Sequence, residues 1–152
     1  MKNIIKRILR EQRQFDSVYL KKVSSRLETP YFYNMEEQFG VSDHNDQEEV
    51  LRFIYGNDIS ISNRGIRDSK NNLIYNEFTE GDWEKSEYDS NNKLIYWENG
   101  DGYWEKREYN YEGQLIFSED ECGFWEKHEY DKNGKEIYYE NSDGRIVIYS
   151  NR

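Results

Sequence analysis

The chain has 152 residues, of which 34% are charged and 35% hydrophobic, and its formal net charge at pH 7 is −10. So few apolar residues disfavour a compact two-layer globule, while the 16% of aromatic residues disfavours a disordered chain. No stretch is long and apolar enough to span a membrane, and the lone Cys122 leaves no intramolecular disulfide and favours the cytoplasm.

Residues 1–28 are predicted to form a basic amphipathic helical arm. The segment contains eight basic and three acidic residues, a net charge of +5, so residues 29–152 carry −15. Its apolar side chains recur at helical spacings, as in Met1, Ile5, Ile8, Phe15 and Tyr19. We expect the arm to dock on the acidic remainder of the chain or to form a homo-oligomer with a neighbouring copy. The alternatives are that it binds a membrane surface, a nucleic acid or an acidic partner.

Residues 29–61 are predicted to be a connector with one short helix. Pro30 ends the arm, because the residue before a proline is pushed towards extended geometry. The stretch 31–46 has no clear periodicity. Residues 46–56 predict a helix with Asp46 as its cap and Gly56 at its end.

Residues 62–152 contain a repeat with a period of 21 residues. Trp83, Trp104 and Trp125 are separated by this interval. An isoleucine, a glutamate and a glycine recur with the same interval, at Ile74, Ile95, Ile116 and Ile137; at Glu77, Glu98, Glu119 and Glu140; and at Gly81, Gly102, Gly123 and Gly144. Such regular spacing predicts that each repeat is one structural unit.

The turns of the repeat predict its geometry. One turn position is occupied by Asn71, Asn92, Gly113 and Gly134, and only asparagine or glycine accepts a positive φ easily. Tight turns every ten or eleven residues predict an antiparallel β-meander of about eight strands, with one hairpin per repeat. Both faces mix charge and aromatic residues, so we expect an α+β fold in which N-terminal helices precede a single-layer or curled sheet.

The segments "EYDSNNKLIY", "EYNYEGQLIF" and "EYDKNGKEIY" resemble the YD (RHS-type) repeats of bacterial and phage proteins, over about residues 62–150. The resemblance implies a sheet built from β-hairpins. Members of that family form long β-sheet shells around toxins, whereas this chain has too few repeats to enclose anything. The leader "MKNIIKRILREQ" is similar to phage sequences, which implies a phage-encoded protein in the cytoplasm of a bacterial or phage-infected cell.

The sequence contains no catalytic constellation, so we expect a protein that is not an enzyme and needs no metal or cofactor. His128 occupies a position where other repeats have Ser86 and Arg107, which predicts an exposed variable site. Cys122 lies in a turn with no histidine near it in the repeat, which predicts an incidental exposed thiol. The acidic turns match turn chemistry better than calcium binding, because the EF-hand ligand pattern is absent.

Two sets of residues are candidates for contacting a partner. The first consists of aromatic residues at positions where other repeats lack a ring: Tyr103, Phe124, Trp97 and Tyr139. The second consists of repeated carboxylates: Glu84, Glu105, Glu126 and Glu108. The alternative for the rings is packing along the sheet. The alternative for the carboxylates is a solvated face that Lys85, Lys106 and Lys127 partly balance.

These observations predict a non-enzymatic protein-interaction module that binds a protein partner through the repeat sheet. One alternative is an acidic nucleic-acid mimic that inhibits a host nucleic-acid-binding protein of a defence system. Another is a structural subunit of a larger particle. In all three hypotheses the acidic sheet itself does not bind nucleic acid.

Overall fold

A computed structural model describes residues 23, 26–78 and 81–149. Their contacts divide the chain into a first unit that ends at Trp83 and a second that begins at Glu84. The described residues form two helices and ten strands, which confirms an α+β fold with an antiparallel β-meander. None of the helices in these ranges is long and apolar enough to cross a membrane. Most of the predicted arm over residues 1–28 lies outside the described residues, so the arm remains a prediction.

The described residues of the first unit form two helices, α1 (Tyr31–Phe39) and α2 (His44–Tyr55). The prediction placed a single helix at 46–56 and gave no structure to the residues of α1. Helix α2 starts earlier than predicted because Asp43, not Asp46, is its N-cap and accepts a hydrogen bond from the Asn45 amide at 3.0 Å. Gly56 ends α2 as predicted.

Three short antiparallel strands follow in sequence order: β1 (Ser60–Ser62), β2 (Gly65–Arg67) and β3 (Leu73–Glu77). Apolar side chains of the helices and strands form one hydrophobic core. All the buried hydrophobic residues found in the described ranges belong to this unit: Val23, Leu27, Tyr31, Phe32, Met35, Val41, Val50, Leu51, Ile59, Ile66 and Tyr75. The first unit is therefore stabilised in the usual way, by burial of apolar surface.

Two side chains of β3 cap the N-terminus of α1. The amide of Tyr31 donates to Tyr75 Oη at 2.9 Å, and the amides of Phe32 and Tyr33 donate to the Glu77 carboxylate at 2.8 and 2.7 Å. Tyr75 Oη also donates to Glu77 Oε2 at 2.8 Å. The helix has no side-chain cap of its own, so these contacts satisfy backbone donors that would otherwise be unpaired.

The second unit is a meander in which each strand pairs antiparallel with the next. Its strands are β4 (Trp83–Tyr88), β5 (Leu94–Asn99), β6 (Trp104–Tyr109), β7 (Leu115–Asp120), β8 (Trp125–Tyr130), β9 (Glu136–Asn141) and β10 (Ile146–Ile148). Strand β4 begins at the last residue of the first unit. The described residues form ten strands rather than about eight: the four predicted hairpins correspond to β2–β9, while β1 precedes them and β10 follows them.

The turns of the second unit have the predicted backbone conformation. Asn92, Gly113 and Gly134 have φ values of 63°, 81° and 80°. The repeated isoleucine has a role that the sequence did not reveal. Glu129 pairs with Tyr138 and Tyr130 pairs with Glu136, so Ile137 between them is the extra residue of a β-bulge. The same shift in pairing occurs at Ile74, Ile95 and Ile116.

The strand register assigns the side chains to two faces. On β6, Trp104, Lys106 and Glu108 alternate with Glu105, Arg107 and Tyr109, as predicted. We call these the Trp104 face and the Glu105 face. In the described residues of the second unit, no hydrophobic side chain is buried; the buried residues there are Ser118 and Asn141. Both faces are therefore mixed and partly exposed.

Candidate functional site

The second unit contains an open groove of about 500 Å³. Besides the repeated Trp104, its lining includes three of the predicted aromatic residues, Trp97, Tyr103 and Phe124, and two of the predicted carboxylates, Glu105 and Glu126. These are five of the eight residues that the sequence predicted to contact a partner. The structure thus brings most of the predicted contact residues into one concave site.

The floor of the groove depends on a small residue that sequence reasoning missed. Ser118 on β7 lies opposite Glu126 on β8, is 8% exposed, and donates a hydrogen bond to the Glu126 carboxylate at 3.3 Å. Other repeats have Trp97 and Tyr139 at the position of Ser118. A serine in place of a large ring leaves open space between the neighbouring strands. That substitution was the signal in the sequence that marks this groove.

Turn geometry positions two of the aromatic walls. The Tyr103 amide donates to Asn99 Oδ1 at 3.1 Å, and the Phe124 amide donates to Asp120 Oδ1 at 3.0 Å. The two rings therefore follow equivalent side-chain-capped turns. Tyr103 is 53% exposed, whereas Phe124 is half-buried. The tyrosine ring is available to a ligand that approaches from solvent.

The groove is strongly acidic. Five of its ten lining residues carry a carboxylate and none carries a basic group: Glu105, Asp120, Glu121, Glu126 and Glu119, of which Glu119 pairs with Lys106 and so belongs to the Trp104 face. Arg107, from outside the groove, engages Glu105 with two hydrogen bonds of 2.7 and 2.9 Å. This contact raises the pKa of Arg107 and neutralises part of the charge. The remaining negative charge, beside the exposed ring of Tyr103, suits a ligand that carries a cationic group.

The other three predicted residues lie in different places. Glu84 accepts a hydrogen bond from Trp97 Nε1 at 3.4 Å, and Tyr139 Oη donates to Glu126 at 3.5 Å. Both therefore contact residues of the groove. Glu108 does not join them, because it is three residues after Glu105 and so lies on the Trp104 face, in a second cavity of about 520 Å³.

The expectation that His128 is exposed is wrong, because only 14% of its side chain is accessible. Its Nδ1 lies 2.5 Å from Glu136 Oε1, and its Nε2 lies 3.7 Å from Glu126 Oε1. The rings of Tyr130 and Tyr139 pack on it at centroid distances of 6.4 and 5.2 Å. The bulge at Ile137 on β9 places Glu136 opposite Tyr130, on the same face as the imidazole. His128 Nε2 is thus buried without a hydrogen-bond partner among the described residues, and the carboxylate of Glu126 beside it lines the groove.

Cys122 is exposed, as predicted. Its thiol lies 3.4 Å from Glu121 Oε1, and this hydrogen bond raises the pKa of the thiol and so disfavours the reactive thiolate. Across the described ranges, no three side chains of histidine, cysteine, aspartate or glutamate are grouped so that they could hold a metal ion.

No protein-family model matches the chain, and the search of curated proteins finds no match either. The resemblance to YD repeats therefore stays a prediction. The functional argument depends on the geometry and chemistry of the groove.

Proposed function

We propose that the protein is a non-enzymatic interaction module that binds a protein partner through its repeat sheet, with the groove as the contact site. The observation that carries this proposal is the convergence of Trp97, Tyr103, Phe124, Glu105 and Glu126 in one concave surface. The three rings are not required by the repeat, since other repeats have polar residues at equivalent positions. A set of rings that stabilises only local packing has no reason to gather around an open groove.

The chemistry of the groove favours a partner segment that carries lysine or arginine next to an apolar side chain. Its net negative charge attracts the cation, and its rings offer aromatic faces for cation–π contacts. The volume of about 500 Å³ is in the range of ligand pockets, which is about 300–1,000 Å³. A short basic segment of a protein fits this description.

The contacts of the carboxylate row favour an interaction module over a nucleic-acid mimic. Glu84 accepts from Trp97, Glu105 is engaged by Arg107, and Glu126 accepts from Ser118. A mimic of the phosphate backbone needs carboxylates that are free to meet the basic residues of its target. The sequence resemblance adds that the protein is phage-encoded and acts in the cytoplasm of a bacterial or infected cell, which is part of the proposal.

The test is affinity capture from bacterial lysate at low and high salt, with bound proteins identified by mass spectrometry. The double variant Tyr103→Ser/Phe124→Ser removes two walls of the groove. A matched control, Tyr111→Ser/Ile148→Ser, removes two exposed side chains elsewhere in the second unit, which are 93% and 77% exposed. We expect a partner that survives high salt, is lost with the groove variant and is kept with the control.

Two results would contradict this proposal. Release of a nucleic-acid-binding protein by moderate salt from every variant would favour the mimic, because salt screens exposed charges. Recovery of the bait alone, as an oligomer, would favour a structural subunit.

A further inference from the structure

One pair of side chains recurs with the same internal contact in both units. A tyrosine two residues before a glutamate donates its hydroxyl to that glutamate on the same strand. The distances are 2.8 Å for Tyr75 and Glu77, 3.0 Å for Tyr96 and Glu98, and 2.8 Å for Tyr138 and Glu140. The hydroxyl oxygen can still accept a hydrogen bond, and the carboxylate has further acceptor positions.

In the first unit this pair binds the N-terminus of a helix. Tyr75 and Glu77 accept the first three backbone amides of α1, whose N-cap residue is Pro30 and offers no side-chain cap. Arg64 Nη1, 3.6 Å from the fully buried Glu77 carboxylate, balances its charge. The ring of Trp83 packs on Tyr75 at a centroid distance of 6.5 Å. The molecule therefore contains one occupied example of what the pair can hold.

Parts of these surroundings recur in the second unit, whose described residues form no helix. Glu98 pairs across strands with Trp104, and its side chain is 33% exposed, with Lys85 Nζ 4.0 Å away. The equivalent rings of Phe117 and Trp125 pack at 6.4 Å with an interplanar angle of 21°, close to the 23° of the first unit. From residue 84 to residue 149 the described elements are all strands.

We propose that the Tyr96–Glu98 and Tyr138–Glu140 pairs are docking sites for the N-terminal turn of an α-helix that a partner protein supplies. The helix would lack a side-chain cap of its own, as α1 does. A helix N-terminus carries about half a positive charge in its unpaired amides, so a carboxylate backed by a tyrosine hydroxyl complements it. The pairs lie on the Trp104 face, and none of their four residues lines the groove, so the two sites are distinct.

One repeat has a phenylalanine in place of the tyrosine of the pair, which gives the proposal a further test. In β7 the pair is Phe117 and Glu119, so the hydroxyl that accepts the first amide is missing. This site should bind a helix more weakly than the two complete pairs. The specificity thus depends on the hydroxyl as well as on the carboxylate.

The probe for the test is a peptide of residues 28–41, which contains α1. A nine-residue helix is marginal alone, so a hydrocarbon staple should join positions 33 and 37, both exposed in the protein. The full-length ¹⁵N-labelled protein would be titrated with this peptide and followed by NMR. We expect shifts at residues 96–98 and 138–140. A second peptide with Pro30→Asp carries its own cap and should bind more weakly.

The variant Glu98→Gln/Glu140→Gln should weaken binding by about tenfold, because hydrogen bonds to charged groups are the stronger ones. Glu87→Gln/Glu129→Gln removes two charges from the same face, directly opposite Tyr96 and Tyr138, and should leave binding nearly unchanged. The groove variant Tyr103→Ser/Phe124→Ser should bind the peptide like the unaltered protein, which keeps this test independent of the proposed function.

Three results would overturn the inference. Equal loss in the two charge variants would mean that only net charge attracts the peptide. Shifts confined to the groove, or to residues around Tyr75, would place the peptide elsewhere. If no shift occurs at any soluble peptide concentration, the two pairs do not bind the N-terminus of a helix.

Discussion

Tyr75 and Tyr96 occupy the same place in successive hairpins, yet their surroundings differ completely. Tyr75 is 1% exposed and belongs to a core of eleven buried hydrophobic residues, whereas Tyr96 is only half-buried. Both donate to the glutamate two residues later. The comparison shows that one strand pattern can be stabilised by a hydrophobic core in one unit and by surface contacts in the other.

The second unit relies on many small contacts. Lys106 lies 5.0 Å from the centroid of the Trp104 ring, and Lys127 lies 2.9 Å from Glu129 on the same strand. Exposed side-chain pairs of this kind each contribute little, because solvent screens them and ordering the side chains costs entropy. Stability is therefore distributed over the sheet, and the loss of one side chain should cost much less in the second unit than in the first.

The largest difference should come from truncating the two tyrosines. Tyr75→Ala should lower the free energy of unfolding by about 3–5 kcal/mol, because it empties a core position. Tyr96→Ala should cost about 1 kcal/mol or less, because it removes a partly exposed side chain. Urea unfolding of each variant measures both values. Equal losses would mean that the second unit has a core of comparable importance.

Glu77→Gln should have the next largest effect and lower the free energy of unfolding by about 2 kcal/mol. The reason is that a buried carboxylate, which accepts hydrogen bonds from two helix amides and a hydroxyl, becomes a neutral amide. Glu98→Gln, the matched change in the second unit, should stay within about 0.5 kcal/mol. Circular dichroism during unfolding provides the measurement. A loss of the same size in both variants would contradict the capping role of Glu77.

A smaller effect should arise at the turns. Gly113→Ala should cost about 1 kcal/mol, because φ is 81° there and a residue with Cβ is strained in that region. Gly113→Asn should cost less, since Asn92 adopts a φ of 63° at the equivalent position. Thermal unfolding of the two variants tests this order. If alanine is tolerated as well as asparagine, turn chemistry does not limit the stability of the second unit.

The smallest effect concerns the reactivity of Cys122. The hydrogen bond to Glu121 raises the pKa of the thiol, so less thiolate is present at pH 8 than in an ordinary cysteine. Reaction with a disulfide reagent should therefore be slow in the folded protein and faster in Glu121→Gln. The rate should rise with pH in both. A variant with an unchanged rate would show that this turn does not hold its structure in solution.

Local signals predicted the turns and the alternation of the strands, because positive φ and side-chain direction are properties of single residues. Helix α1 escaped prediction because its caps, Tyr75 and Glu77, come from more than 40 residues later in the sequence. The burial of His128 escaped it as well, because a bulge changes which residues face each other and brings Glu136 to the imidazole. The sequence alone therefore did not reveal contacts between residues that are distant along the chain, or shifts in strand register.

Most of the groove could be predicted, because its aromatic residues occupy positions where other repeats have polar residues. Ser118 was overlooked because a small residue attracts no notice, although its size is what opens the site. Glu108 was grouped with Glu105 by residue type, while an odd separation along a strand places them on opposite faces. Comparing side-chain volumes at equivalent positions of the repeats would have identified Ser118. Counting residues along the strand would have placed Glu108 and Glu105 on opposite faces.

The bulge at the repeated isoleucine has a consequence for how such a gene can change. Each hairpin carries its own register shift, at Ile95, Ile116 and Ile137. Unequal recombination between coding repeats would insert or delete 63 nucleotides at a time, since each repeat spans 21 codons. Every remaining bulge and turn would keep its partner. A lineage can therefore lengthen or shorten this sheet by whole hairpins while every strand pairing that remains keeps its register.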